Sequence, residues 1–285
     1  SISNFETQQL ALDGATTDHV LESQLNNIPD DVSNLVLSVG GNDLLNEIDF
    51  LYENIQIQNN LLFAAREYKV SRFIFLGSSC IYPKEAKTPI TEDQLLTGKL
   101  EKSNEAYALA KISGIKLSEY LFYQNNLDVV CLMPTNIYGI NDNYDKFSSH
   151  VIPGMIAKFI EAKKNNKSKV ELLGTGKPLR EFLFNDDLAE AIYLLLKSTK
   201  NKIMKASGKK FPIFNVGYGE NISIKALSQI IKKYVKFKGE IFFNNKYPDG
   251  TMKKNLNSNK IKKLGWKPKI NLKKGLSKII KSKLI

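Results

Sequence analysis

Short apolar runs alternate along the chain with longer stretches whose apolar residues recur at helical spacing. The clearest run is F-I-F-L at residues 73–76, which ends at Gly77. A run of this length without polar residues predicts a strand buried on both faces, as in a parallel sheet. The same reasoning predicts further strands at residues 35–39, 127–133, 170–173 and 214–217. Strands that alternate with helices in this way favour an α/β fold.

Helical spacing predicts the elements that connect these strands. Helices are expected at residues 49–69, in the stretch that contains Tyr107 and Lys111, at 188–197 and at 222–235. Asp186 and Asp187 are of a residue type typical of helix N-caps and are expected to cap the third of these helices. The lysine-rich segment 199–210 is predicted to be a loop.

Candidate chemistry is concentrated at the end of the strand that precedes Gly77. Ser78 and Cys80 follow that strand, and open α/β sheets bind their ligands at the carboxyl ends of their strands. Tyr107 and Lys111 stand four residues apart, which places both on one helix face. A lysine ammonium near a phenol is expected to lower the pKa of the tyrosine and to suit it to acid–base work. A lone Y-x-x-x-K pair also fits an ordinary solvated helix face.

The serine–cysteine segment after the strand and the Tyr107–Lys111 pair are a more specific signal together than either is alone. The order G-S-S-C-I-Y-P at residues 77–83, a polar loop, and N-E-A-Y-A-L-A-K at 104–111 resembles the extended short-chain dehydrogenase/reductase family. Within that family it resembles the GDP-L-fucose synthases. The resemblance covers residues 47–285. It implies an α/β fold with a Rossmann-like parallel sheet that lacks its usual first half, and a smaller C-terminal substrate domain.

The resemblance also implies an activity and its residues. The implied reaction is 3,5-epimerisation of GDP-4-dehydro-6-deoxy-D-mannose, followed by NADPH-dependent reduction at carbon 4. Cys80 and His150 would exchange protons at carbons 3 and 5. Tyr107 would protonate the oxygen at carbon 4, with Lys111 tuning the phenol and Ser78 holding the oxygen.

Two sets of binding residues follow from the same resemblance. Those expected to contact NADP(H) are Leu76, Gly77, Ser79, Tyr107, Lys111, Pro134, Thr135, Asn136, Ile137 and His150. Those expected to contact the nucleotide sugar are Lys158, Leu173, Arg180 and Asp249. The family usually has an aromatic residue near Leu173. No metal is expected, and the family implies a homodimer.

The first 46 residues have a different character. G-A-T-T at 14–17 and G-G-N-D at 40–43 resemble two blocks of the SGNH hydrolases. The nucleophile block and the D-x-x-H block of that family are missing, since neither His19 nor His150 follows an aspartate at that spacing. An oxyanion hole without nucleophile and base cannot carry out acyl transfer, so no hydrolase activity is expected.

The glycine-rich motif that binds a dinucleotide pyrophosphate is also missing. No G-x-G-x-x-G occurs in the 285 residues, and G-T-G-K at 174–177 lacks the other residues of a phosphate loop. We therefore expect three parts: a hydrolase-like fragment at 1–46, the remaining cofactor-binding and catalytic part at 47–150, and a mainly substrate-binding part at 151–285. We also expect weak NADPH binding.

The amino-acid composition restricts the kinds of binding partner that are expected. Residues 197–285 contain 24 lysines and three acidic residues, within a chain of net charge +12. Only three arginines occur in the whole chain, which disfavours nucleic-acid readout and leaves an anionic nucleotide sugar as the expected partner. The lack of a long apolar run predicts no membrane span. Two cysteines suit a reducing compartment and predict a cytoplasmic protein.

Two alternatives stay open at this point. The chain could be another nucleotide-sugar epimerase or dehydratase, although a simple 4-epimerase needs neither Cys80 nor His150. It could also be an inactive, truncated or fused sugar-nucleotide binder, which the missing glycine motif favours.

Overall fold

The computed structural model describes residues 34–37, 47–145 and 149–284. It is an α/β protein with parallel sheets, which confirms the predicted fold class. The strands are β1 Asn34–Leu37, β2 Arg72–Leu76, β3 Val129–Pro134, β4 Asn136–Tyr138, β5 Lys169–Leu173, β6 Leu179–Phe184, β7 Ile213–Val216, β8 Asn221–Ser223, β9 Glu240–Asn244 and β10 Lys253–Lys254. The helices are α1 Glu47–Glu67, α2 Glu105–Asn125, α3 Val151–Lys164, α4 Asn185–Lys197, α5 Lys200–Ala206, α6 Ile224–Val235, α7 Asn259–Lys262 and α8 Leu272–Leu284.

The main sheet is fully parallel, in the order β1-β2-β3-β7. Successive side chains of a strand point to opposite faces, so each buried strand supplies both sides of the sheet. Phe73 and Phe75 pack in one core with α1 and α2. Ile74 and Leu76 pack in another core with residues of α4 and α5. This three-layer arrangement explains why β2 has no polar residue after Arg72.

A second body of structure surrounds a separate core. That core contains buried residues of α3, α6 and α8 together with residues of β5 and β6. Its strands form the sheet β10-β6-β4, with β8 antiparallel to β6, and the parallel pair β5-β9. The chain passes from the main sheet to the second core at least twice. Met133 in β3 and Val216 in β7 belong to the cores of the main sheet, and Tyr138 and Leu227, which follow them in sequence, pack in the second core.

Two local predictions were wrong. Segment 199–210 is not all loop, since it contains α5. Thr199 caps this helix by accepting a hydrogen bond from the amide of Lys202, and its residues Ile203 and Ala206 are buried. Asp186 and Asp187 do not cap α4, which begins after Phe184. The buried carboxylate of Asp187 instead accepts hydrogen bonds from the amides of Lys269 and Ile270 at 2.7 and 3.0 Å. That contact joins α4 to the segment before α8.

The predicted strand at residues 35–39 corresponds to β1, which pairs in parallel with β2. The two hydrolase-like glycine segments lie outside the described residues. None of the helices in the described part of the chain is long and apolar enough to cross a bilayer.

Candidate active site

The end of β2 forms the floor of the candidate site. The amide of Gly77 continues the sheet by donating to the carbonyl of Leu132 at 2.8 Å. A Cβ at Gly77 would lie 2.6 Å from the end of the Met133 side chain, which would have to shift to admit a larger residue. The chain then turns, and the Ser78 hydroxyl accepts a hydrogen bond from the amide of Cys80 at 3.2 Å. Ser79 is buried, whereas Ser78 and Cys80 are partly exposed.

Helix α2 brings Tyr107 and Lys111 to the same place. Lys111 is only 2% exposed, and its Nζ donates to the carbonyl of Leu76 at 3.1 Å. The ammonium also lies 5.5 Å from the ring centre of Phe75 and 5.8 Å from that of Tyr107. Burial lowers the pKa of Lys111 to about 8. Lys111 therefore fixes the helix against the end of β2 and carries a charge near neutral pH.

The expected effect of Lys111 on Tyr107 was wrong. The pKa of Tyr107 is raised, first by burial of the phenol and then by the nearby Cys80. A hydrogen bond with the Ser78 side chain acts in the opposite direction but is the smaller effect. Burial of the phenol is the main cause, and the ammonium of Lys111 donates to the Leu76 carbonyl. Tyr107 is thus a neutral phenol at pH 7, ready to donate a proton.

Cys80 connects this group to a second set of residues. Its thiol lies near enough to Tyr107 to raise the pKa of the phenol. It also lies near enough to Arg180 to act against the fall in the guanidinium pKa that burial causes. The structure therefore brings together Ser78, Cys80, Tyr107 and Arg180.

Arg180 borders a cleft that contains the remaining predicted substrate residues. The cavity has a volume of about 300 Å³ and lies between α3, β5 and the loop around Pro248. Its lining includes His150, Lys158, Leu173, Arg180 and Asp249. Leu173 is 54% exposed, so it adds an apolar surface to the cleft.

Three further residues hold this cleft in shape, and sequence reasoning did not identify them. The carboxylate of Asp249 accepts hydrogen bonds from the amide and the hydroxyl of Thr175, at 2.9 and 2.5 Å. These bonds lower the pKa of Asp249. Nη1 of Arg180 donates to the carbonyl of Thr251 at 2.6 Å, and the Thr251 hydroxyl donates to the Glu101 carboxylate at 3.1 Å. No local sequence signal marks such contacts between distant segments.

His150 lies at the entrance to the cleft, immediately before α3. Its side chain is 64% exposed, and Nδ1 is 3.9 Å from a carboxylate oxygen of Asp142. The interaction with Asp142 raises the pKa of His150 despite partial burial of the ring. A larger fraction of the imidazole is therefore protonated near neutral pH, which suits a proton donor.

The residues expected to contact the nicotinamide end of a cofactor lie at one edge of the main sheet. Leu76 is the last residue of β2 and Gly77 follows it, and Pro134 is the last residue of the neighbouring β3. The side-chain amide of Asn136 and the hydroxyl of Thr135 both donate to the backbone carbonyl of Glu181, at 2.9 and 3.0 Å. With the buried ammonium of Lys111 nearby, these groups fit the polar nicotinamide and ribose end of a dinucleotide. Ile137 is partly buried in β4, and His150 lies on the cleft side.

The model of the NAD dependent epimerase/dehydratase family matches residues 9–217. The chain belongs to that family. The match begins before β1 and therefore includes most of the segment that resembles a hydrolase fragment.

Several members of the epimerase/dehydratase family are similar over most of the chain. A putative GDP-L-fucose synthase 2 of Arabidopsis thaliana is 47% identical over 229 residues, which are 80% of this chain and 67% of that protein. The GDP-L-fucose synthase of Escherichia coli (strain K12) is 42% identical over 229 residues, 80% of this chain and 71% of that protein. A GDP-D-glycero-L-gluco-heptose synthase from Campylobacter jejuni, solved in the presence of NADPH, is 31% identical with a TM-score of 0.81. That match covers 89% of this chain and 83% of the other.

Proposed function

We propose that this protein catalyses the GDP-L-fucose synthase reaction. GDP-4-dehydro-6-deoxy-D-mannose is epimerised at carbons 3 and 5 and is then reduced at carbon 4 with NADPH. The observation that carries the proposal is the position of Cys80. Its thiol lies near both the Tyr107 phenol and Arg180, which lines the cleft. A chain that only reduces a ketone, or only exchanges a 4-hydroxyl, has no use for a thiol there.

The epimerisation step is assigned to Cys80 and His150. The protons on carbons 3 and 5 of the substrate are acidified by the neighbouring 4-keto group, so a thiolate can remove them. A proton must then return from the opposite face of the sugar. His150 lines the cleft that Arg180 also lines, and the Asp142 carboxylate raises the pKa of its imidazole, so we assign to it the return of that proton.

The reduction step is assigned to Tyr107, Ser78 and Lys111. When bound, NADPH supplies the hydride that reduces carbon 4. Tyr107 is a neutral phenol and donates a proton to the oxygen on that carbon, while its hydrogen-bond partner Ser78 holds the oxygen in place. Lys111 holds α2 against β2 and places a positive charge where the oxygen becomes basic.

Binding of the nucleotide part is assigned to the cleft. The Arg180 guanidinium suits a diphosphate, and Lys158 adds a second positive charge. Asp249, held by Thr175, is a hydrogen-bond acceptor for hydroxyl groups. These residues belong to the proposed substrate-binding part, 151–285, and the catalytic residues, His150 included, belong to the proposed part 47–150. The lysine-rich C-terminal part attracts an anionic ligand over longer distances.

Turnover tests this proposal against its alternatives. With GDP-4-dehydro-6-deoxy-D-mannose and excess NADPH, the protein is expected to oxidise NADPH and to form GDP-L-fucose. With UDP-glucose it is expected to form no UDP-galactose. Conversion of UDP-glucose would favour a simple 4-epimerase, and no conversion of either compound at millimolar NADPH would favour an inactive sugar-nucleotide binder.

A pH profile tests the role of Lys111. Since its pKa is lowered to about 8, the ammonium is present below that pH and is lost above it. We expect kcat/KM for the keto-sugar to fall as pH rises through about 8, because the protonated form is the active one. Lys111→Arg keeps its charge at high pH, so its falling limb is expected to move upward. Lys116→Arg, on the same helix, is the matched control. An identical high-pH limb in Lys111→Arg would exclude the ammonium as its cause.

Titration of NADPH fluorescence tests the expectation of weak cofactor binding. The 285 residues contain no glycine-rich pyrophosphate motif, and the residues around Tyr107 and Asn136 hold only the nicotinamide end. Loss of several charge-assisted hydrogen bonds, each of about 1.5–3 kcal/mol, weakens binding by orders of magnitude. We expect a dissociation constant far above the micromolar range, and rescue by a first half taken from a family member. Micromolar binding by the chain alone would reveal a phosphate site in residues 1–46.

We propose a homodimer from an apolar surface on the adjacent helices α1 and α2. Tyr52 and Phe63 are exposed on α1, and Leu109, Tyr120 and Tyr123 are exposed on α2. Tyr52 and Phe63 are eleven residues apart, as are Leu109 and Tyr120, which is close to three helical turns and puts each pair on one side of its helix.

Light scattering after gel filtration tests the dimer. The unaltered protein is expected to have the mass of two chains, and Tyr120→Glu to have the mass of one. Phe242→Glu, which changes an exposed ring on β9, is the control and is expected to remain dimeric. A monomeric unaltered protein would contradict the proposal. We also propose a cytoplasmic location, which the unpaired thiols of Cys80 and Cys131 support.

A further inference from the structure

A buried carboxylate lies directly beside Arg180. Glu181 is in β6 and is 0% exposed. Its Oε1 accepts a hydrogen bond from the amide of Gly219 at 2.5 Å, and its Oε2 accepts one from the amide of Leu256 at 2.8 Å. Gly217 packs against the same group, since a Cβ there would lie 2.8 Å from the carboxyl carbon.

This arrangement is energetically expensive. A carboxylate removed from water loses its hydration, and backbone amides restore only part of it. Burial accordingly raises the pKa of Glu181. An apolar side chain of similar size would fill the same space but would leave the amides of Gly219 and Leu256 without an acceptor. The carboxylate therefore serves the two amide hydrogen bonds as well as packing.

The bonds of Glu181 join three segments that border the candidate site. Gly219 lies in the loop after β7, and Leu256 follows β10 and forms a bridge with Ile90 in the loop after β2. The backbone carbonyl of Glu181 accepts the hydrogen bonds from Thr135 and Asn136 on the cofactor side. A single residue thus connects the edge of the main sheet with the segments that form the cleft.

Arg180 is held through the same connection. Neighbouring residues of a strand point to opposite faces, so Arg180 faces the cleft while Glu181 is fixed in the interior. Strand β10 pairs with Leu179 and Arg180, and the bond from Leu256 to Glu181 closes that pairing at its end. Just before β10, the carbonyl of Thr251 accepts a hydrogen bond from the Arg180 guanidinium.

We propose that Glu181 is a positioning residue, which fixes the Arg180 guanidinium and the 249–256 segment in the geometry that binds a nucleoside diphosphate. The proposal rests on the function proposed above. In this proposal the side chain of Glu181 acts on the substrate end of the site. The cofactor end depends on its backbone carbonyl, which any substitution at 181 retains.

Calorimetric titration with GDP tests this role. Glu181→Gln keeps the size of the side chain but replaces one acceptor oxygen by an amino group, which cannot accept from a backbone amide. We expect its dissociation constant for GDP to rise about tenfold or more, because Arg180 loses its fixed position. NADPH binding is expected to change by less than about threefold relative to the unaltered protein, since Thr135 and Asn136 keep their acceptor. Glu190→Gln, at an exposed carboxylate paired with Lys269, is the control.

A double-mutant comparison separates positioning from general stability. In an Arg180→Ala background, Glu181→Gln is expected to weaken GDP binding by no more than about twofold further, because it acts through the missing guanidinium. An equal loss in both backgrounds, or an unchanged GDP affinity in Glu181→Gln alone, would overturn the proposal. If Glu181→Gln does not fold, Glu181→Asp is measured in its place, since its shorter side chain cannot reach both amides. Failure of the unaltered protein to bind GDP would instead contradict the proposed function.

Discussion

Tyr107→Phe is expected to abolish reduction of the keto-sugar while epimerised keto-sugar still accumulates. The two steps use different proton donors, and the substitution removes only the phenol hydroxyl. The raised pKa of Tyr107 keeps it protonated at neutral pH, and Ser78 holds the hydroxyl in position. General acids of this kind contribute about a hundred- to ten-thousandfold, so NADPH oxidation is expected to fall by that factor.

The measurement is the rate of NADPH oxidation at saturating cofactor, together with mass spectrometry of the sugar in deuterated water. Tyr68→Phe is the matched control, because its ring is exposed at the end of α1, away from the candidate site. Deuterium uptake is expected to continue in both variants. A loss of reduction smaller than about tenfold in Tyr107→Phe would show that water replaces the phenol easily and that the assigned role is wrong.

Cys80→Ser is expected to stop nearly all uptake of solvent deuterium at carbons 3 and 5. A serine hydroxyl is a far weaker acid than a thiol, so its anion is scarcely available to remove a proton at neutral pH. The substitution keeps the size and the position of the side chain at the end of β2. Binding of GDP in the cleft is expected to remain unchanged, because Arg180 keeps its contact with the carbonyl of Thr251.

The control for this experiment is the second thiol of the chain. Cys131→Ala removes a thiol that is buried in β3, and it is expected to leave deuterium uptake intact at a temperature where the variant is folded. Mass spectrometry of the recovered sugar at several times gives the exchange rate. Exchange at the normal rate in Cys80→Ser would remove Cys80 from the mechanism and would leave His150 without its proposed partner.

The central part of the fold could be predicted because its signals are local. The run F-I-F-L before Gly77 specifies a buried strand, and the spacing of Tyr107 and Lys111 specifies one helix face. Both predictions are confirmed by β2 and α2. The helix α5 was missed because lysine-rich composition suggested a loop and concealed Ile203 and Ala206, which lie three residues apart and are buried.

Electrostatic effects were harder to predict than positions. Sequence spacing correctly placed Lys111 near Tyr107, but it carried no information about burial or about the carbonyl of Leu76, which accepts a hydrogen bond from the ammonium. Desolvation consequently decides the pKa of both residues. The expectation of a lowered tyrosine pKa treated the pair as isolated in water.

The residues that shape the cleft could not be found from local patterns. Arg180 contacts Thr251 across 71 positions of sequence, and Glu181 contacts Leu256 across 75. Such contacts depend on how the second core packs against the main sheet. The one sequence feature that points to Glu181 is a charged residue directly before the apolar run F-L-F at residues 182–184.

Proton NMR of the keto-sugar in deuterated water tests the central claim most directly. The protein is incubated with GDP-4-dehydro-6-deoxy-D-mannose, first alone and then with excess NADPH. We expect the signals of the protons on carbons 3 and 5 to disappear before NADPH is added. GDP-L-fucose that carries deuterium at both carbons then appears after the addition. A product that is reduced at carbon 4 but keeps both original protons would contradict the assignment of epimerisation to this protein, and so would a substrate that remains unchanged throughout.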